Sequence, residues 1–263
     1  MTLELRGLRK TFRGRRGEPQ EVLRGIDLTI TTGEFVSFIG HSGCGKSTLL
    51  NVVGGLVRAD AGDVLIDGRP VDGPGPERAM VFQNYSLLPR LSLLANVREA
   101  VRAARPDWER DRVDEMVEHY LSAVGLWPHR HKRPAQVSGG MAQRAAVARA
   151  FAVGPRTLLL DEPFGALDAL TRSRLQQQLT DLWGNESETE TVLMVTHGLD
   201  EAILLADRIV VMANAPHPSV RAIIEVPIPR PRDRVGITGH PAYAGIQTQL
   251  VDLLVADHEL ALI

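Results

Sequence analysis

The sequence predicts an α/β fold, in which helices cover a mixed, mainly parallel β-sheet beside an N-terminal antiparallel β lobe. Short apolar runs such as "EFVSFIG" (34–40) and "TVLMVTH" (191–197) are typical of buried strands, and helical segments alternate with them. In contrast, "TLELRGLRKTF" (2–12) and "EVLRGIDLTI" (21–30) alternate apolar and polar residues, as half-buried strands do. Strands that alternate with helices indicate a parallel sheet covered on both faces.

The sequence over 46–126, which follows the opening strands, predicts four further elements. A glycine pair, Gly54-Gly55, ends the first helical run, Asp67-Gly68 is a turn dipeptide, and Pro106 interrupts a long helical stretch. The expected elements are a helix over 46–53, a hairpin over 62–71, a strand over 78–83 and mainly helix over 92–126.

The second half repeats the alternation. An alanine-rich helix stops at Gly154-Pro155, and the apolar run "TLLLDEP" (157–163) then predicts a buried strand. We expect a polar surface loop at "GNESETE" (184–190) and an extended proline-rich stretch at "VPIPRPRDR" (226–234). The other expected elements are helices over 139–153, 169–183 and 199–206, strands over 191–197 and 208–213, and a last helix over about 241–256.

The composition is that of an ordinary globular protein. Of the 263 residues 44% are apolar and 24% are charged, and a net charge of -2 gives no general attraction to nucleic acid. Cys44 is the only cysteine, which excludes a disulfide framework and a thiolate metal site. No apolar run reaches the ~18 residues of a membrane-spanning helix, and polar residues rather than a signal peptide follow Met1. We therefore expect a cytosolic chain, or one held at a membrane only by partners.

A glycine-rich loop follows the first buried strand and fits the spacing G-x-x-x-x-G-K-[ST]. Its residues are Gly40, His41, Ser42, Gly43, Cys44, Gly45, Lys46 and Ser47, followed by Thr48. Glycines let backbone N–H groups turn inward around a phosphate, and a helix that begins at the loop adds its positive end. We expect Lys46 to bridge the β- and γ-phosphates of a nucleotide and Ser47 to offer its hydroxyl to Mg²⁺. The alternative is a glycine-rich structural turn.

Adjacent carboxylates end the strand "TLLLDEP", at the edge of the sheet where the glycine loop is expected. Asp161 can hold Mg²⁺ directly or through water, and Glu162 can polarise a water that attacks the γ-phosphate. His197 ends the next strand, where we expect a γ-phosphate contact, although a lone histidine is more often structural. An acidic turn without catalytic function is the alternative for the carboxylates.

A second glycine motif opens a helix within "QVSGGMAQRAAVARAF" (136–151). Ser138, Gly139 and Gly140 offer N–H donors to an anion. One nucleotide does not need two anion-binding loops from one chain. We therefore expect a dimer that holds each nucleotide between the first loop of one chain and the second loop of the other. The alternative is an alanine-rich core helix with a glycine at its start.

In type and order these motifs resemble those of the ATP-binding cassette (ABC) transporter ATPases, over nearly the whole chain. The matching segments are the glycine loop, "VFQ", "VSGGM", "LLLDEP", "GALD" and "VTH". The resemblance implies a P-loop nucleotide-hydrolase core with an antiparallel β lobe and an inserted α-helical lobe over about 86–150. It also implies ATP and Mg²⁺ as cofactors, an ATPase domain over 1–226, and a C-terminal extended segment and helix over 227–263 that belong to this domain or form a short appendage.

The resemblance also implies roles for single residues on the matching motifs. Phe12 looks like the aromatic that stacks on adenine, and Gln83 like the glutamine that meets Mg²⁺ and senses the γ-phosphate. The remaining residues that carry over are Ser138, Gly139 and Gly140 as the signature that reaches the partner's γ-phosphate, Asp168 as the link between the two sites, and His197 as the switch histidine.

The chain departs from the family pattern at three places. Val137 and Met141 flank the signature where many members have Leu and Gln, but its Ser-Gly-Gly core is intact, so we expect activity. Gly198 follows the histidine where Asp is usual, and glycine caps the next helix without a carboxylate acceptor. The loop over 184–190 is longer than usual, and we expect this to change the shape of the surface but not the chemistry of the site.

A finer resemblance is to the nitrate/nitrite/cyanate importers, and more distantly to the sulfonate and taurine importers. It is carried by "DGRPVDGPGPERAMVFQNYSLLPRLSLLANV" (67–97), "VSGGM" and "IPRPR". It implies a peripheral subunit on the cytoplasmic side of the inner membrane, partnered by a second ATPase subunit and multi-span permeases and, indirectly, by an extracytoplasmic substrate-binding protein. In the family, the segment over 84–94 docks a coupling helix of the membrane subunit; an ordinary linker is the alternative.

Two other functions are compatible with the glycine-rich loop alone. A soluble ABC-type ATPase that acts on nucleic acid or ribosomes predicts a basic groove, a second cassette or a long coiled coil, none of which is visible in the sequence. A small-molecule kinase predicts a lid and an acceptor pocket and leaves "VSGGM" unexplained. We expect no nucleic-acid partner.

Overall fold

A computed structural model describes residues 2–14, 17–165, 167–186 and 188–260, with the backbone alone at 185–186 and 257–260. The chain divides into two compact units. The described residues of 1–74 and 191–263 form the first, and those of 75–190 form the second.

Regular elements cover most of the described residues. The strands are β1 Thr2–Arg13, β2 Pro19–Thr31, β3 Phe35–Gly40, β4 Ala61–Ile66, β5 Arg69–Pro70, β6 Arg78–Val81, β7 Thr157–Asp161, β8 Thr191–Val195, β9 Arg208–Met212 and β10 Val220–Glu225. The helices are α1 Lys46–Val53, α2 Leu93–Ala104, α3 Arg110–Ala123, α4 Gly139–Ala152, α5 Ala169–Asp181, α6 Leu199–Leu205 and α7 Pro241–Leu260.

The first unit contains an antiparallel sheet in the order β2-β1-β4-β5. Leu3 of β1 pairs with Ile30 of β2, and Leu5 pairs with Leu28, so the inward-facing apolar residues of the two strands lie opposite each other. All four side chains are buried, as the alternating sequence predicts. Asp67 and Gly68 both have positive φ and form the turn between β4 and β5, which confirms the expected hairpin.

A second sheet of the first unit is mixed and mainly parallel. β3 lies between β8 and β9 and is parallel to both, while β10 pairs with β9 in the antiparallel direction. All residues of β3 and β8 are buried, as their continuous apolar runs predict. Because β3 ends at Gly40 and α1 begins at Lys46, the glycine-rich loop lies at the carboxyl end of this strand.

The second unit consists of the parallel pair β6 and β7 together with four helices. Helix α4 is buried along most of its length because α2 and α3 both pack against it, and its alanines allow that close approach. The rings of Tyr120 on α3 and Phe151 on α4 stack with centroids 6.1 Å apart. Helix α4 is therefore the core of this helical group. The extent predicted for the helical lobe, about 86–150, stays a prediction.

The structure differs from the sequence-based expectation at two places. Strand β10 was not expected, because "VRAIIE" has no clear alternation and its pairing with β9 is a long-range contact. The expected loop over 184–190 begins as a π-helical turn, Leu182–Glu186, that continues α5. None of the helices in the described part of the chain is both long and apolar enough to span a membrane.

Candidate functional site

The glycine-rich loop of the first unit has the backbone conformation that its glycines predict. Gly40 has φ 152° and Gly45 has φ 104°. A Cβ atom at Gly40 would lie 2.3 Å from the carbonyl oxygen of Met212, and one at Gly45 would lie 2.9 Å from the carbonyl oxygen of Val22. Side chains cannot be accommodated at either position, so the loop needs glycine for conformation and for space.

Lys46 is the first residue of α1, and its side chain lies inside the loop. Its Nζ atom donates to the carbonyl oxygens of Gly40 and His41 at 2.8 and 2.9 Å. The residue is only 5% exposed, so its positive charge is concentrated where the loop backbone converges. An ammonium group in this place is suited to bind phosphate oxygens.

The other residues of the loop divide into buried and accessible ones. Cys44 is buried, and burial raises the pKa of its thiol despite the opposing charge of Lys46. It therefore stays a neutral thiol that fills the loop. Ser42, Gly43 and Ser47 are exposed, and His41 and Thr48 are half-buried. On β1 of the same unit, Phe12 is 41% exposed, with Nζ of Lys10 5.4 Å from its ring centroid.

In the second unit, the structure brings together two predicted site residues, Gln83 and Glu162. Gln83 lies just after β6, and its Nε2 atom donates to Oε2 of Glu162 at 3.0 Å. Glu162 follows Asp161 at the end of β7 and has φ 48°, a left-handed conformation that is rare for a residue with a side chain. Both carboxylates are half-buried. The turn at the end of β7 thus directs the Glu162 carboxylate to the amide of Gln83.

A buried glutamine that the sequence analysis did not single out supports this turn. Gln143 of α4 is 1% exposed, and its Nε2 atom donates to the carbonyl oxygen of Pro163 at 2.6 Å. This bond ties the centre of α4 to the residue that follows Glu162. A glutamine within an alanine-rich helix is the signal for it, because an amide that is buried with such a helix needs a partner.

The second glycine motif is at the exposed start of α4. Ser138 is the N-cap residue, and its hydroxyl oxygen accepts from the N–H of Met141 at 3.3 Å. A Cβ atom at Gly139 would lie 3.1 Å from the hydroxyl oxygen of Tyr85, and one at Gly140 would lie 2.6 Å from Cγ2 of Thr171. The glycines therefore allow close packing against the segment after Gln83 and against α5. The motif leaves backbone N–H donors at the surface.

Asp168 is the N-cap residue of α5. Its Oδ1 atom accepts from the N–H groups of Leu170 and Thr171 at 3.1 and 3.0 Å. These contacts, led by the hydrogen bond with the side chain of Thr171, lower the pKa of the carboxyl group. Because Gly140 packs against Thr171, the start of α4 lies beside the helix turn that Asp168 caps.

His197 is an exposed residue between β8 and α6 in the first unit. Gly198, at the N-cap position, makes no side-chain capping bond, as expected, but its N–H donates to Oγ1 of Thr196 at 3.0 Å. The Thr196 hydroxyl in turn donates to Oε2 of Glu201 at 2.5 Å. Thr196 and Glu201 thus link the residues before the helix to its first turn.

The predicted residues are divided between the two units. The first unit holds Phe12, the glycine loop and His197, and the second holds Gln83, Asp161, Glu162, the Ser138 motif and Asp168. Direct contact is found between Gln83 and Glu162, and close packing between the Ser138 motif and the first turn of α5. Cys44 and Lys46 are gathered inside the glycine loop.

Comparisons with known proteins agree with this arrangement. A family model described as ABC transporter matches residues 23–165. The nitrate import ATP-binding protein NrtD of Synechococcus elongatus is 49% identical over 93% of this chain and 88% of that protein. The bicarbonate transport ATP-binding protein CmpD of the same species is 47% identical over 90% of this chain and 84% of that protein.

A similar solved structure is the dimeric, post-hydrolysis state of the ATP-binding cassette MJ0796 bound to ADP and Pi. It has 31% sequence identity and a TM-score of 0.73, over 85% of this chain and 98% of that chain. The family model covers more than half of the chain and spans the glycine-rich loop, Gln83, the Ser138 motif and the acidic end of β7. The chain therefore belongs to the ABC transporter family, has the fold of its ATP-binding cassettes, and is an ATPase.

Proposed function

We propose that this ATPase drives the import of a small inorganic anion through separate membrane subunits, with nitrate as the first candidate. The observation that carries the proposal is the 49% identity with a nitrate import protein over nearly the full length of both chains. The ATPase subunit does not contact the transported anion in this arrangement. The preference for nitrate therefore rests on likeness to that relative and not on a substrate pocket.

In the proposed reaction, the glycine loop and Lys46 bind the phosphates of ATP, and the exposed ring of Phe12 stacks on adenine. Glu162 takes a proton from the attacking water as the water oxygen bonds to the γ-phosphorus and the bond from that phosphorus to the bridging oxygen of ADP breaks, so that ADP leaves. Gln83 orients that carboxylate, and His197 contacts the γ-phosphate. The support for these assignments is the buried ammonium of Lys46 and the 3.0 Å bond between Gln83 and Glu162. Catalysis is then mainly positioning and electrostatic stabilisation.

The residues present fit a Mg²⁺ ion that is held chiefly by the nucleotide. No group of three or more His, Cys, Asp or Glu side chains that could hold a metal is found among the described residues. Mg²⁺ commonly takes only one or two protein ligands beside phosphate oxygens and water. Ser47, Gln83 and Asp161 are the proposed ligands. When bound, the ion neutralises charge on the β- and γ-phosphates.

The proposed active form is a dimer with an identical subunit or a close paralogue. In each of its two sites, the glycine loop of one subunit faces the Ser138 motif of the other, which adds N–H donors to the γ-phosphate. Asp168 connects the two sites. The exposed start of α4 and the dimeric arrangement of MJ0796 support this proposal.

The segment over 84–94 is the proposed docking site for a cytoplasmic helix of the membrane subunit. Leu88 is 51% exposed, and buried Asn96 holds its backbone: Oδ1 accepts from the Leu88 N–H at 2.7 Å, and Nδ2 donates to the Leu88 carbonyl at 3.1 Å. An exposed apolar side chain on a fixed backbone suits a helix contact. Through this contact the chain would lie peripherally on the cytoplasmic side of the membrane, and a substrate-binding protein would act only through the membrane subunits.

Bicarbonate is the second candidate, because the bicarbonate transport protein CmpD is nearly as similar, at 47% identity. Sulfonate or taurine uptake, implied by a more distant resemblance, is a third. The experiment that separates them is uptake by the complex of this chain with its membrane subunits in vesicles, using labelled nitrate, bicarbonate and taurine in competition. ATP-dependent uptake of nitrate alone is the expected result. Uptake of bicarbonate or taurine without nitrate would overturn the choice of anion but not the transport function.

A further inference from the structure

Helix α6 fixes the position of His197, because the residues on both sides of that histidine are bonded into its first turn. The Thr196 hydroxyl donates to Glu201, and the N–H of Gly198 donates to Thr196. A Cβ atom at Gly198 would lie only 2.9 Å from Cδ of Glu201, so glycine leaves the space that this carboxylate occupies. Any displacement of α6 therefore moves His197 as well.

The first turn of α6 is held by α7. Asp200 accepts two hydrogen bonds on Oδ1, from the hydroxyl of Tyr243 at 2.7 Å and from Nε2 of Gln247 at 3.2 Å. Tyr243 and Gln247 are four residues apart and so lie on one face of α7. Hydrogen bonds to a carboxylate are stronger than those between neutral groups.

The last turn of α6 is held by two arginines of the extended segment that precedes α7. Arg232 donates to the carbonyl oxygens of Ile203 and Ala206 at 3.0 and 2.6 Å, and Arg230 donates to the carbonyl oxygen of Leu205. These carbonyls end the helix and receive no N–H donor from within it. The Arg232 side chain is only 3% exposed, and desolvation lowers its pKa to about 10, so it still carries its charge at neutral pH.

The same α7 also contacts the glycine loop. Nε2 of His41 and the carbonyl oxygen of Leu254 are 2.8 Å apart. Because a carbonyl only accepts, Nε2 carries the hydrogen in this bond. Leu254 lies 11 residues after Tyr243, which is about 16 Å along a helix. Helix α7 thus contacts both the glycine loop and α6, the helix that follows His197.

We propose that the C-terminal segment over 226–256 is a positioning element that holds α6, and with it His197, in the place from which the histidine contacts the γ-phosphate. Tyr243, Gln247, Arg230 and Arg232 are positioning residues, since they act through α6. This inference rests on the role proposed above for His197. The family model matches residues 23–165, so this positioning element lies outside the matched region. The inference assigns to it an effect on the rate of ATP hydrolysis.

The test compares substitutions on α7 in the full-length chain. Tyr243→Phe removes one hydroxyl and keeps the ring, and Gln247→Ala removes the second donor. Each should lower kcat for ATP hydrolysis about fivefold to tenfold, with KM for ATP within about twofold. This is less than the full effect of a lost hydrogen bond to a charged group, because both residues act only through α6. Gln249→Ala is the matched control, since Gln249 lies in the groove between α7 and β10 and should leave kcat unchanged.

A second pair of variants separates positioning from general stability. Asp200→Asn keeps an oxygen that accepts from Tyr243 and should retain most of the activity. Asp200→Ala removes the acceptor of both Tyr243 and Gln247 and should lose at least as much as Tyr243→Phe. In a His197→Ala background, Tyr243→Phe should lower kcat no further, because the residue through which it acts is absent. Thermal unfolding of each variant identifies those that fail to fold. If Tyr243→Phe does not fold, Gln247→Ala tests the same contact with Asp200, because the Gln247 side chain is only half-buried.

The outcomes separate this inference from the proposed function. Wild-type kcat in both Tyr243→Phe and Gln247→Ala overturns the positioning element and leaves the ATPase mechanism intact. If Tyr243→Phe lowers kcat in the His197→Ala background as much as it does in the wild type, the positioning element is also overturned. The effect of Tyr243 would then not depend on His197. If His197→Ala alone retains wild-type turnover, the role proposed for His197 is wrong, and this inference, which depends on that role, is wrong as well.

Discussion

The amide of Gln83 donates to the carboxylate of Glu162, with Nε2 and Oε2 3.0 Å apart. This bond joins the second residue after β6 to the first residue after β7, at the end of a parallel strand pair. The left-handed backbone of Glu162, with φ 48°, costs about 1 kcal/mol for a residue with a side chain. The conformation persists because it directs the carboxylate to the amide. Strain of this kind is typical of functional sites.

Glu162→Gln should abolish turnover while ATP binding survives. The amide cannot take a proton from water, so we expect hydrolysis to fall at least about a hundredfold. Its Oε1 atom can still accept from Gln83, which preserves the local geometry. Phosphate release and equilibrium ATP binding measure the two effects. Glu99→Gln, on the exposed surface of α2, is the control, and near wild-type hydrolysis by Glu162→Gln would show that another group is the base.

Lys46→Ala should act on nucleotide binding itself. It removes a charge that is 5% exposed and lies against the carbonyl oxygens of Gly40 and His41. We expect ATP affinity to fall at least about tenfold, since charge-assisted bonds to phosphate are lost, and AMP affinity to change little. Titration with both nucleotides measures the difference. Lys132→Ala, at an exposed position, should bind both like the wild type, and equal losses for ATP and AMP would contradict the assignment to the β- and γ-phosphates.

The buried thiol of Cys44 should make stability fall at alkaline pH. Burial raises its pKa in the folded chain above the ordinary value of 9.0, so folding favours the neutral form. Its contribution to stability is then fully present below the unfolded pKa and is lost as pH rises through the folded pKa. The Tm of the wild type should decline more steeply than that of Cys44→Ser above about pH 9. Parallel Tm curves from pH 7 to 10.5 would show that the thiol does not contribute.

Motif spacing and strand patterning predict the glycine loop, the acidic strand end and the helix starts, because each depends on neighbouring residues. The hairpin turn at Asp67-Gly68 and the end of the first helix at Gly54 are found as expected. Such features follow from local conformational preferences and from burial of one face or of a whole strand.

The contacts that place the functional groups depend on distant parts of the chain and could not be predicted in this way. The sequence "VPIPRPRDR" predicts an extended stretch, but it does not predict that Arg232 donates to carbonyl oxygens at the end of α6. Likewise, nothing adjacent to Tyr243 indicates that its hydroxyl bonds to Asp200, 43 residues earlier. Strand β10 was missed for the same reason, since its partner β9 and not its own pattern defines it.

Arg149 connects α4, the helix that begins at the Ser138 motif, to the segment that follows Gln83. From α4, its Nη1 and Nη2 atoms donate to the carbonyl oxygens of Ser86 and Tyr85 at 2.6 and 3.1 Å. Tyr85 and Ser86 have φ values of 64° and 45°, so Arg149 holds two consecutive left-handed residues within the proposed docking segment over 84–94. The planar guanidinium makes both bonds at once, which the single ammonium of lysine cannot reproduce in that geometry.

We therefore expect Arg149→Lys to weaken coupling more than hydrolysis. The charge is retained, but the two carbonyls are no longer held together, so movement of the docking segment is transmitted less well to α4. The ratio of anion transported to ATP hydrolysed should fall about threefold to tenfold in the complex with the membrane subunits. Arg102→Lys, an exposed position on α2, is the matched control. An unchanged ratio with reduced hydrolysis would assign Arg149 to the stability of the second unit instead.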